Sequence, residues 1–272
     1  MKISILGCGW LGFPLAQKLI ETGYEVKGST TSESKFEVLK SKKIQPFLIK
    51  LEESQIIGNI SEFLNESEII IIDIPPGLRK TTESTSEKTF VNKIRTLLPF
   101  IENSTIEKVI FISSTSVYGD STSIPTVTEE SILHPDTESG KQLAEVENLL
   151  RNNSNFQTTI IRFGGLIGED RHPIHFLAGR KNIDQPNAPI NLIHQDDCVG
   201  IIEKIITINS WDETFNAVAP SHPSRETYYT QKALELSLAL PQFNPANNFG
   251  GKIILSSCIE NVLKYTFTKP NL

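Results

Sequence analysis

The sequence predicts an α/β protein built on a parallel sheet, and three observations support that class. Short apolar runs alternate with segments of helical period over residues 1–164. Residues 68–74 form an almost unbroken apolar run, which is typical of a central parallel strand covered on both faces. A glycine-rich turn directly follows the run near the N-terminus. The expected fold is therefore a Rossmann-type, doubly wound parallel sheet with a small C-terminal lobe.

The expected elements follow from these patterns in chain order. After a first strand containing Ile3, Ile5 and Leu6, strands are predicted at residues 24–28, 45–51, 68–74, 108–113 and 158–163. Helices are predicted at residues 11–20, 34–41, 90–101 and 141–151. Beyond Gly164 the alternation loosens, with a short strand at 190–193 and a helix at 198–209. We therefore predict a sheet domain over 1–164, to which 190–210 return, and a lobe made of 165–189 and 211–272.

The glycine turn between the first strand and the first helix predicts a dinucleotide site. Gly7, Gly9 and Gly12 have G-x-G-x-x-G spacing. Gly7 permits the tight turn, Gly9 lets the backbone approach a pyrophosphate, and Gly12 lets the helix pack on the strand. The first N–H groups of the helix then hold the phosphates. The glycines alone would also suit a simple tight turn, but the flanking strand and helix favour the dinucleotide.

The end of the second strand indicates which nicotinamide cofactor binds. Its sequence, Gly28-Ser29-Thr30-Thr31-Ser32, has no acidic residue to accept hydrogen bonds from the 2′-hydroxyl of the adenine ribose. The hydroxyl side chains, with Lys35 one turn later, suit a 2′-phosphate. NADP is predicted as the cofactor, with NAD as the alternative, and an ordinary polar loop is the other interpretation.

Composition and charge restrict the partners and the location. The formal net charge of −6 includes no block of Lys and Arg, so we expect a small-molecule ligand and neither nucleic acid nor membrane as the partner. Three widely spaced cysteines without C-x-x-C pairing predict free thiols in a reducing cytoplasm. His172 and His175 lack a third convergent ligand, so no metal site is predicted.

Three sequence motifs, which follow one another in the order typical of a known family, support a family resemblance. They are GCGWLG at residues 7–12, FISSTSVYG at 111–119 and NLIHQDD at 191–197. Together they resemble the extended short-chain dehydrogenase/reductase superfamily, the NAD-dependent epimerases and dehydratases of sugar nucleotides, over nearly the whole chain. The forms Trp10-Leu11-Gly12 and Ile74-Pro75-Pro76 resemble an atypical subgroup.

The resemblance implies roles for particular residues. The serine before x-x-Val-Tyr-Gly hydrogen-bonds the reacting carbonyl or hydroxyl in that family, and this role falls on Ser114. The predicted cofactor site consists of the glycine turn, the end of the second strand and residues that the resemblance adds: Gly7, Gly9, Trp10, Leu11, Gly12, Ser29, Thr30, Thr31, Pro75, Pro76, Ser113, Lys141 and Phe163. The family's substrates imply a sugar-like or nucleotide-linked ligand.

The family's tyrosine and lysine, four residues apart, are the point at which this chain departs from the pattern. Lys141 stands in the lysine's place, and the position four before it is Thr137, whose hydroxyl does not ionise usefully near neutrality. Three hypotheses follow: Tyr118, Asp136 or Glu138 carries the proton; Ser114 and Lys141 only orient the substrate, with water as the proton source; or the protein has lost the chemistry and senses NADP as a regulator.

The remaining expectations concern the lobe and the surface. Arg171, Arg180, Lys181 and Arg225 are the cations expected to meet a diphosphate or carboxylate of the substrate. Asp196 and Asp197 are expected to cap the following helix, and His194 to be structural. Helices 90–101 and 141–151 correspond to those through which many relatives form homodimers. The tail 256–272 could cover that surface or the substrate site.

Overall fold

The computed structural model describes residues 1–78, 88–247 and 250–272. Within them, seven parallel strands form the central sheet in the order β12-β9-β7-β6-β1-β2-β3. These strands are β1 (Lys2–Leu6), β2 (Glu25–Thr30), β3 (Gln45–Leu48), β6 (Ile69–Ile72), β7 (Lys108–Ser114), β9 (Gln157–Phe163) and β12 (Thr214–Ala217). The predicted doubly wound parallel sheet is confirmed.

Helices cover both faces of the sheet. They are α1 (Gly12–Glu21), α2 (Phe36–Ser41), α3 (Ile60–Leu64), α4 (Thr89–Glu102), α5 (Glu138–Arg151), α6 (Ile174–Leu177), α7 (Gln195–Ile208), α8 (Arg225–Glu235) and α9 (Ser257–Asn261). One apolar layer joins the sheet to α1, α7 and α9, and the other joins it to α3, α4 and α5. Strand β6 contributes alternate isoleucines to both layers, which explains its unbroken apolar run.

Among the described residues, three short strand pairs lie outside the central sheet. β4 (Lys50–Leu51) pairs with β5 (Ile56–Ile57), β8 (Thr126–Val127) with β13 (Ile253–Ile254), and β10 (Gly165–Ile167) with β11 (Leu192–His194). Two turns of 3₁₀ helix occupy Glu33–Lys35 and Thr115–Val117. A third apolar cluster, which includes Ile174, Tyr228 and Tyr229, joins α6 to α8 in the lobe.

One predicted boundary differs from the structure. Residues 211–217 were assigned to the lobe, but β12 pairs with β9 and forms the edge of the central sheet. The strand has only four residues, TFNA, and includes a polar asparagine, so its sequence carries no clear apolar run. The return of residues 190–210 is seen in α7, which packs against α1.

The helix α7 is not capped as the sequence predicts. His194 is its N-cap, and its Nδ1 accepts the N–H of Asp196 at 3.2 Å. Asp197 is fully buried and accepts hydrogen bonds from Tyr265 Oη, from the N–H and hydroxyl of Thr268, and from the N–H of Lys269. The predicted cap at Asp197 is therefore wrong, because this carboxylate anchors the C-terminal tail on the α1 and α7 face, opposite α4 and α5.

Candidate active site

A cleft of about 1040 Å³ opens at the carboxyl ends of the parallel strands. This edge is where open α/β sheets bind their ligands. The cleft runs from the glycine turn and the end of β2, across the ends of β6, β7 and β9, to residues of the lobe. Its lining includes nearly all of the predicted cofactor residues: Gly7, Gly9, Trp10, Leu11, Ser29, Thr30, Thr31, Pro75, Pro76, Ser113 and Phe163.

The glycine turn has the shape that a pyrophosphate needs. Gly7 has φ +108°, and a Cβ there would collide with the backbone carbonyl of Asp73. A Cβ on Gly12 would collide with the carbonyl of Gly7, so this glycine serves the packing of α1 on β1 and lies outside the cleft lining. A Cβ on Gly9 would meet no atom within 4 Å, which leaves the backbone open toward the cleft. The turn therefore fits a dinucleotide.

Some hydroxyl groups at the end of β2 are hydrogen-bonded within the protein, and another is exposed in the cleft. Ser29 Oγ accepts the N–H of Gly7 at 2.8 Å, so this side chain holds the turn. Thr30 Oγ1 accepts the N–H of Ser32. Thr31 is exposed and lines the cleft with Lys35. Of the residues at the end of β2, Thr31 and Lys35 therefore remain to meet a ligand phosphate.

The cleft has a further wall, which the sequence patterns did not predict. It is formed by the segment after β3 and by α4, and its residues are Ile49, Lys50, Leu51, Phe90 and Lys93. These side chains form an apolar surface with two cations, which suits a purine ring beside phosphates. The sequence predicted residues 49–51 as part of the strand 45–51, but β3 ends at Leu48, so these residues follow the strand and reach the edge where ligands bind.

Asp73 is a further charged residue of the cleft that the sequence analysis did not select. It directly follows β6, is partly exposed and lies beside the glycine turn. Burial raises the pKa of its carboxyl to about 7, against a hydrogen bond from the backbone of Gly12 and the positive charge of Arg171, both of which lower it. A carboxyl group at this place titrates near neutrality.

Ser114 lies at the cleft, as the resemblance implies. It ends β7 and lines the cleft, and its Oγ accepts the N–H of Ser116 at 3.1 Å. This bond orients the hydroxyl and leaves its proton to be donated to a ligand. Ser113 also lines the cleft, but its hydroxyl donates to Glu147 Oε1 at 2.6 Å below the cleft floor.

Tyr118, which the sequence predicts as a catalytic residue, does not line the cleft. Its side chain is 3% exposed, and its Oη lies 3.0 Å from both the Thr128 carbonyl and Asn216 Oδ1. Arg162 Nη1 donates to the same oxygen. Burial raises the pKa of this phenol. A group packed in this way supports the wall behind the cleft and does not exchange protons with a ligand in it.

The helix α5 presents a different face to the cleft from the one predicted. Thr137 is its N-cap, with Oγ1 accepting the N–H of Gly140 at 3.1 Å. Lys141 is exposed and absent from the lining of the cleft, whereas Leu143 is buried and lines it. Residues four apart share a helix face, so Ser139 and Glu147 belong with Leu143. The structure therefore does not bring Lys141 to Ser114.

The other proposed proton carriers are also engaged elsewhere. Asp136 Oδ2 accepts the N–H of Asp120 at 2.7 Å. Glu138 Oε1 accepts from Gln142 Nε2 at 2.8 Å. Neither carboxylate lines the cleft. Within the described residues, the titratable groups on the cleft are instead Asp73, Asp120, Cys8 and the cations of the sheet edge and lobe.

A buried ion pair lies beneath the cleft. Arg162 Nε lies 3.1 Å from Glu147 Oε1, and Arg162 Nη2 lies 2.6 Å from Glu147 Oε2, with both side chains almost fully buried. Burial opposes the charge of Arg162, but the hydrogen bonds and charge of Glu147 outweigh it and raise the pKa of the guanidinium. The side chain of Arg162 lies below the floor, whereas Phe163, Gly164 and Gly165 line the cleft.

The lobe contributes cations to the cleft. Arg171 and Arg225 line it as predicted, together with Lys252, which the sequence analysis missed. Lys252 Nζ donates to the Tyr118 carbonyl and to Asp120 Oδ1, both at 2.8 Å. Arg180 and Lys181 line a smaller cavity of about 440 Å³ that shares Gln185 and Arg225 with the cleft.

The described residues show neither a metal cluster nor a membrane span. No group of three or more His, Cys, Asp or Glu in them has the arrangement of a metal site. His172 Nδ1 accepts the N–H of Ile174, so its Nε2 donates to Tyr228 Oη at 2.9 Å. None of the helices described in 1–78, 88–247 and 250–272 is long and apolar enough to span a bilayer. Cys8 and Cys198 are free and buried, and Cys258 is free and partly exposed.

The fold and the cleft define a dinucleotide-binding protein of the short-chain dehydrogenase/reductase type. The model of the NAD-dependent epimerase/dehydratase family matches residues 3–197, and the chain belongs to this family. The predicted family resemblance is confirmed, and membership supports the prediction of a nicotinamide cofactor.

The similarity to known proteins covers nearly the whole chain. Protein YeeZ of Escherichia coli strain K12 is 33% identical over 272 residues, which cover 99% of this chain and 97% of that protein. A chloroplastic homologue of the epimerase family protein SDR39U1 from Arabidopsis thaliana is 25% identical, covering 97% of this chain and 78% of that protein. UDP-glucuronic acid 4-epimerase from Bacillus cereus, solved with NAD, has a TM-score of 0.79 at 19% identity, over 98% of this chain and 94% of that one. At 19% identity, the similarity to this epimerase structure shows only that the two proteins share a fold.

Proposed function

We propose that the protein binds NADP and an anionic small molecule in one cleft and transfers hydride between the nicotinamide and a carbonyl or hydroxyl carbon. The observation that carries this proposal is the continuity of the cleft. It joins the glycine turn, the hydroxyl of Ser114 and the cations Arg225 and Lys252. The bound cofactor would supply the hydride acceptor or donor. The chain supplies the groups that hold and orient the two ligands.

The preference for NADP is supported by the end of β2. Thr31 and Lys35 line the cleft there, and no carboxylate of residues 28–32 is present to hold a 2′-hydroxyl. A 2′-phosphate brings negative charge next to Lys35, which favours its binding. An aspartate or glutamate at this place would select NAD.

The substrate class is inferred from the lobe and from the family. Arg225 and Lys252 line the cleft together with the amide side chain of Gln185, so cationic and amide groups face the ligand. Guanidinium and ammonium groups suit a diphosphate, and amides suit sugar hydroxyls. The structure of MoeE5, a similar fold at 17% identity with a TM-score of 0.80, was solved with UDP-glucose and NAD. A nucleotide-linked sugar is therefore the substrate that we propose.

The proton step does not use the family's tyrosine and lysine. The face of α5 that meets the cleft carries Leu143, and Ser139 precedes it by one turn on the same face. The residues at the family's two positions, Thr137 and Lys141, do not line the cleft. Ser114 therefore acts by orienting the substrate oxygen, and the proton comes from another source.

The same observation favours a second candidate, a regulator that senses NADP without turnover. Because Leu143 lines the cleft and Lys141 does not, the dinucleotide can bind without the family's catalytic pair acting on a substrate. The complete lobe with its own cations favours the enzyme, since a sensor has less need of a second ligand pocket.

The experiment that separates the candidates combines binding with turnover. Calorimetry measures the affinities of wild-type protein for NADP⁺ and NAD⁺, and we expect tighter binding of NADP⁺. The protein is then incubated with each cofactor and a panel of nucleotide sugars, while reduced nicotinamide and converted sugar are followed. Ser114→Ala is expected to lower any turnover and to leave the affinity for NADP⁺ unchanged. Tight binding without turnover across the panel supports the sensor, and absence of dinucleotide binding contradicts both candidates.

A further inference from the structure

Arg171 is a lobe residue that stands against the glycine turn. It is the last residue of the turn 168–171, which two backbone hydrogen bonds close. The N–H of Gly168 donates to the Arg171 carbonyl at 2.8 Å, and the N–H of Arg171 donates to the Gly168 carbonyl at 3.2 Å. Its guanidinium carbon lies 4.9 Å from the ring centroid of Trp10, inside the G-x-G-x-x-G segment. This stacking places a cation beside the predicted phosphate site.

Trp10, on which the guanidinium stacks, is itself held from several sides. Its Nε1 donates to Asp170 Oδ1 at 2.8 Å, and its carbonyl accepts from Gln195 Nε2 at 2.6 Å. A Cβ on Gly168 would lie 2.8 Å from the indole ring, so the lobe turn approaches as closely as its backbone allows. The lobe turn and the glycine turn are therefore fastened to each other through this indole.

A cation beside the glycine turn would offset two negative charges, that of Asp73 and that of a bound diphosphate. The carboxyl group of Asp73 lies beside the turn, and the positive charge of Arg171 lowers its pKa. A diphosphate would bring further negative charge next to this carboxyl group. Arg171 is exposed in the cleft and takes part in none of the ion pairs found among the described residues. Its N–H donors are available to an anion, and their planar arrangement matches phosphate oxygens.

We propose that Arg171 binds the diphosphate of the dinucleotide, so that the lobe supplies a cation to the cofactor from the side opposite the backbone of the glycine turn. This assigns Arg171 to the cofactor, whereas the sequence analysis assigned it to the substrate. The inference rests on the proposed function only in that a dinucleotide binds.

The test compares ligands with and without the diphosphate. Wild type, Arg171→Ala, Arg171→Lys and a matched surface control, Arg95→Ala, are titrated with NADP⁺ and with 2′-AMP by calorimetry. Arg95 is exposed on α4 and paired with Glu145, away from the cleft. Loss of Arg171 is expected to weaken NADP⁺ binding about tenfold or more, the effect of one charge-assisted contact, and to change 2′-AMP binding by less than about twofold. Lysine at this position is expected to restore part of the loss, because it keeps the charge but not the planar pair of donors.

Other results overturn the proposal. Unchanged NADP⁺ affinity in Arg171→Ala overturns it, and so does an equal loss for 2′-AMP, which would indicate damage to the adenine end or to the fold. Thermal unfolding of the variant separates these two. If the wild type prefers NAD⁺, the same comparison uses NAD⁺ and adenosine. If the wild type binds no dinucleotide at all, the proposed function fails and the assignment of Arg171 fails with it.

Discussion

Glu147 on α5 and Arg162 on β9 form a two-pronged ion pair that is almost completely buried beneath the cleft. Ser113 Oγ donates to the same carboxylate, and Tyr118 Oη accepts from the same guanidinium. The pair therefore ties the strand that carries Ser114 to the helix that covers it. The floor of the cleft is held by charges, not only by apolar packing.

Breaking this pair is expected to destabilise the protein strongly. Glu147→Gln leaves the buried guanidinium without its counter-charge, which costs about 3–5 kcal/mol in the free energy of unfolding. The matched control is Glu145→Gln on the same helix, whose partners Lys88 and Arg95 are exposed, and its cost is less than about 1 kcal/mol. Urea unfolding measures both values. Equal stability of the two variants would show that the buried pair contributes no more than a surface pair.

The C-terminal tail is expected to depend on Asp197. In Asp197→Asn the groups of Tyr265, Thr268 and Lys269 lose a charged acceptor, and we expect a loss of about 1.5–3 kcal/mol in the free energy of unfolding. Asp196→Asn, at an exposed carboxylate in the same turn, is expected to cost less than about 1 kcal/mol. In a chain ending at residue 264 the Asp197 substitution should add little further loss. If the losses from Asp197→Asn and from the truncation at residue 264 add fully, Asp197 does not stabilise the protein by holding the C-terminal tail.

Dinucleotide affinity is expected to depend on pH through Asp73. Burial raises its pKa to about 7, so the carboxyl is neutral below that pH and negative above it. The negative form repels a diphosphate, and affinity therefore falls as pH rises through about 7, by about tenfold if binding shifts this pKa by one unit. Calorimetry from about pH 5 to about pH 8 measures the slope, with proton uptake on binding.

Asp73→Asn is the reference for that slope. The 2′-phosphate of NADP⁺ titrates in the same range, at about pH 6, so only the difference between wild type and variant reports on the carboxyl. The variant is expected to bind more tightly above neutrality and equally below it. Parallel profiles for the two proteins would assign the pH dependence to the ligand.

Two lysines are expected to differ in their effect on the cofactor. Lys35 lines the cleft at the end of β2, whereas Lys141 is exposed outside it. Lys35→Ala should weaken NADP⁺ binding about tenfold and NAD⁺ binding by less than about twofold, because its charge meets the 2′-phosphate. Lys141→Ala should leave both affinities unchanged. If Lys141→Ala weakens NADP⁺ binding as much as Lys35→Ala does, Lys141 belongs to the cofactor site.

The positions that the sequence predicted well are those whose cause is local. Gly7 must adopt a positive φ and Gly12 must admit the carbonyl of Gly7, and both requirements act within a few residues. The role of Ser114 was implied by the family resemblance of its motif, and the structure places this serine at the cleft. The four-residue interval expected of the family's catalytic pair follows from helix geometry, but the interval does not say which face of α5 meets the cleft. Packing against β7 and β9 made that choice, and it selected Leu143 over Lys141.

The sequence by itself determined the doubly wound sheet, the glycine turn and the hydroxyl-rich end of β2, because period, spacing and backbone conformation are properties of neighbouring residues. Only the tertiary structure decided that Tyr118 is buried, that Asp197 holds a tail about 70 residues further on, and that Arg171 stacks on Trp10. Each of these depends on elements brought together from distant parts of the chain, and the burial and charge that they create have no counterpart in local sequence.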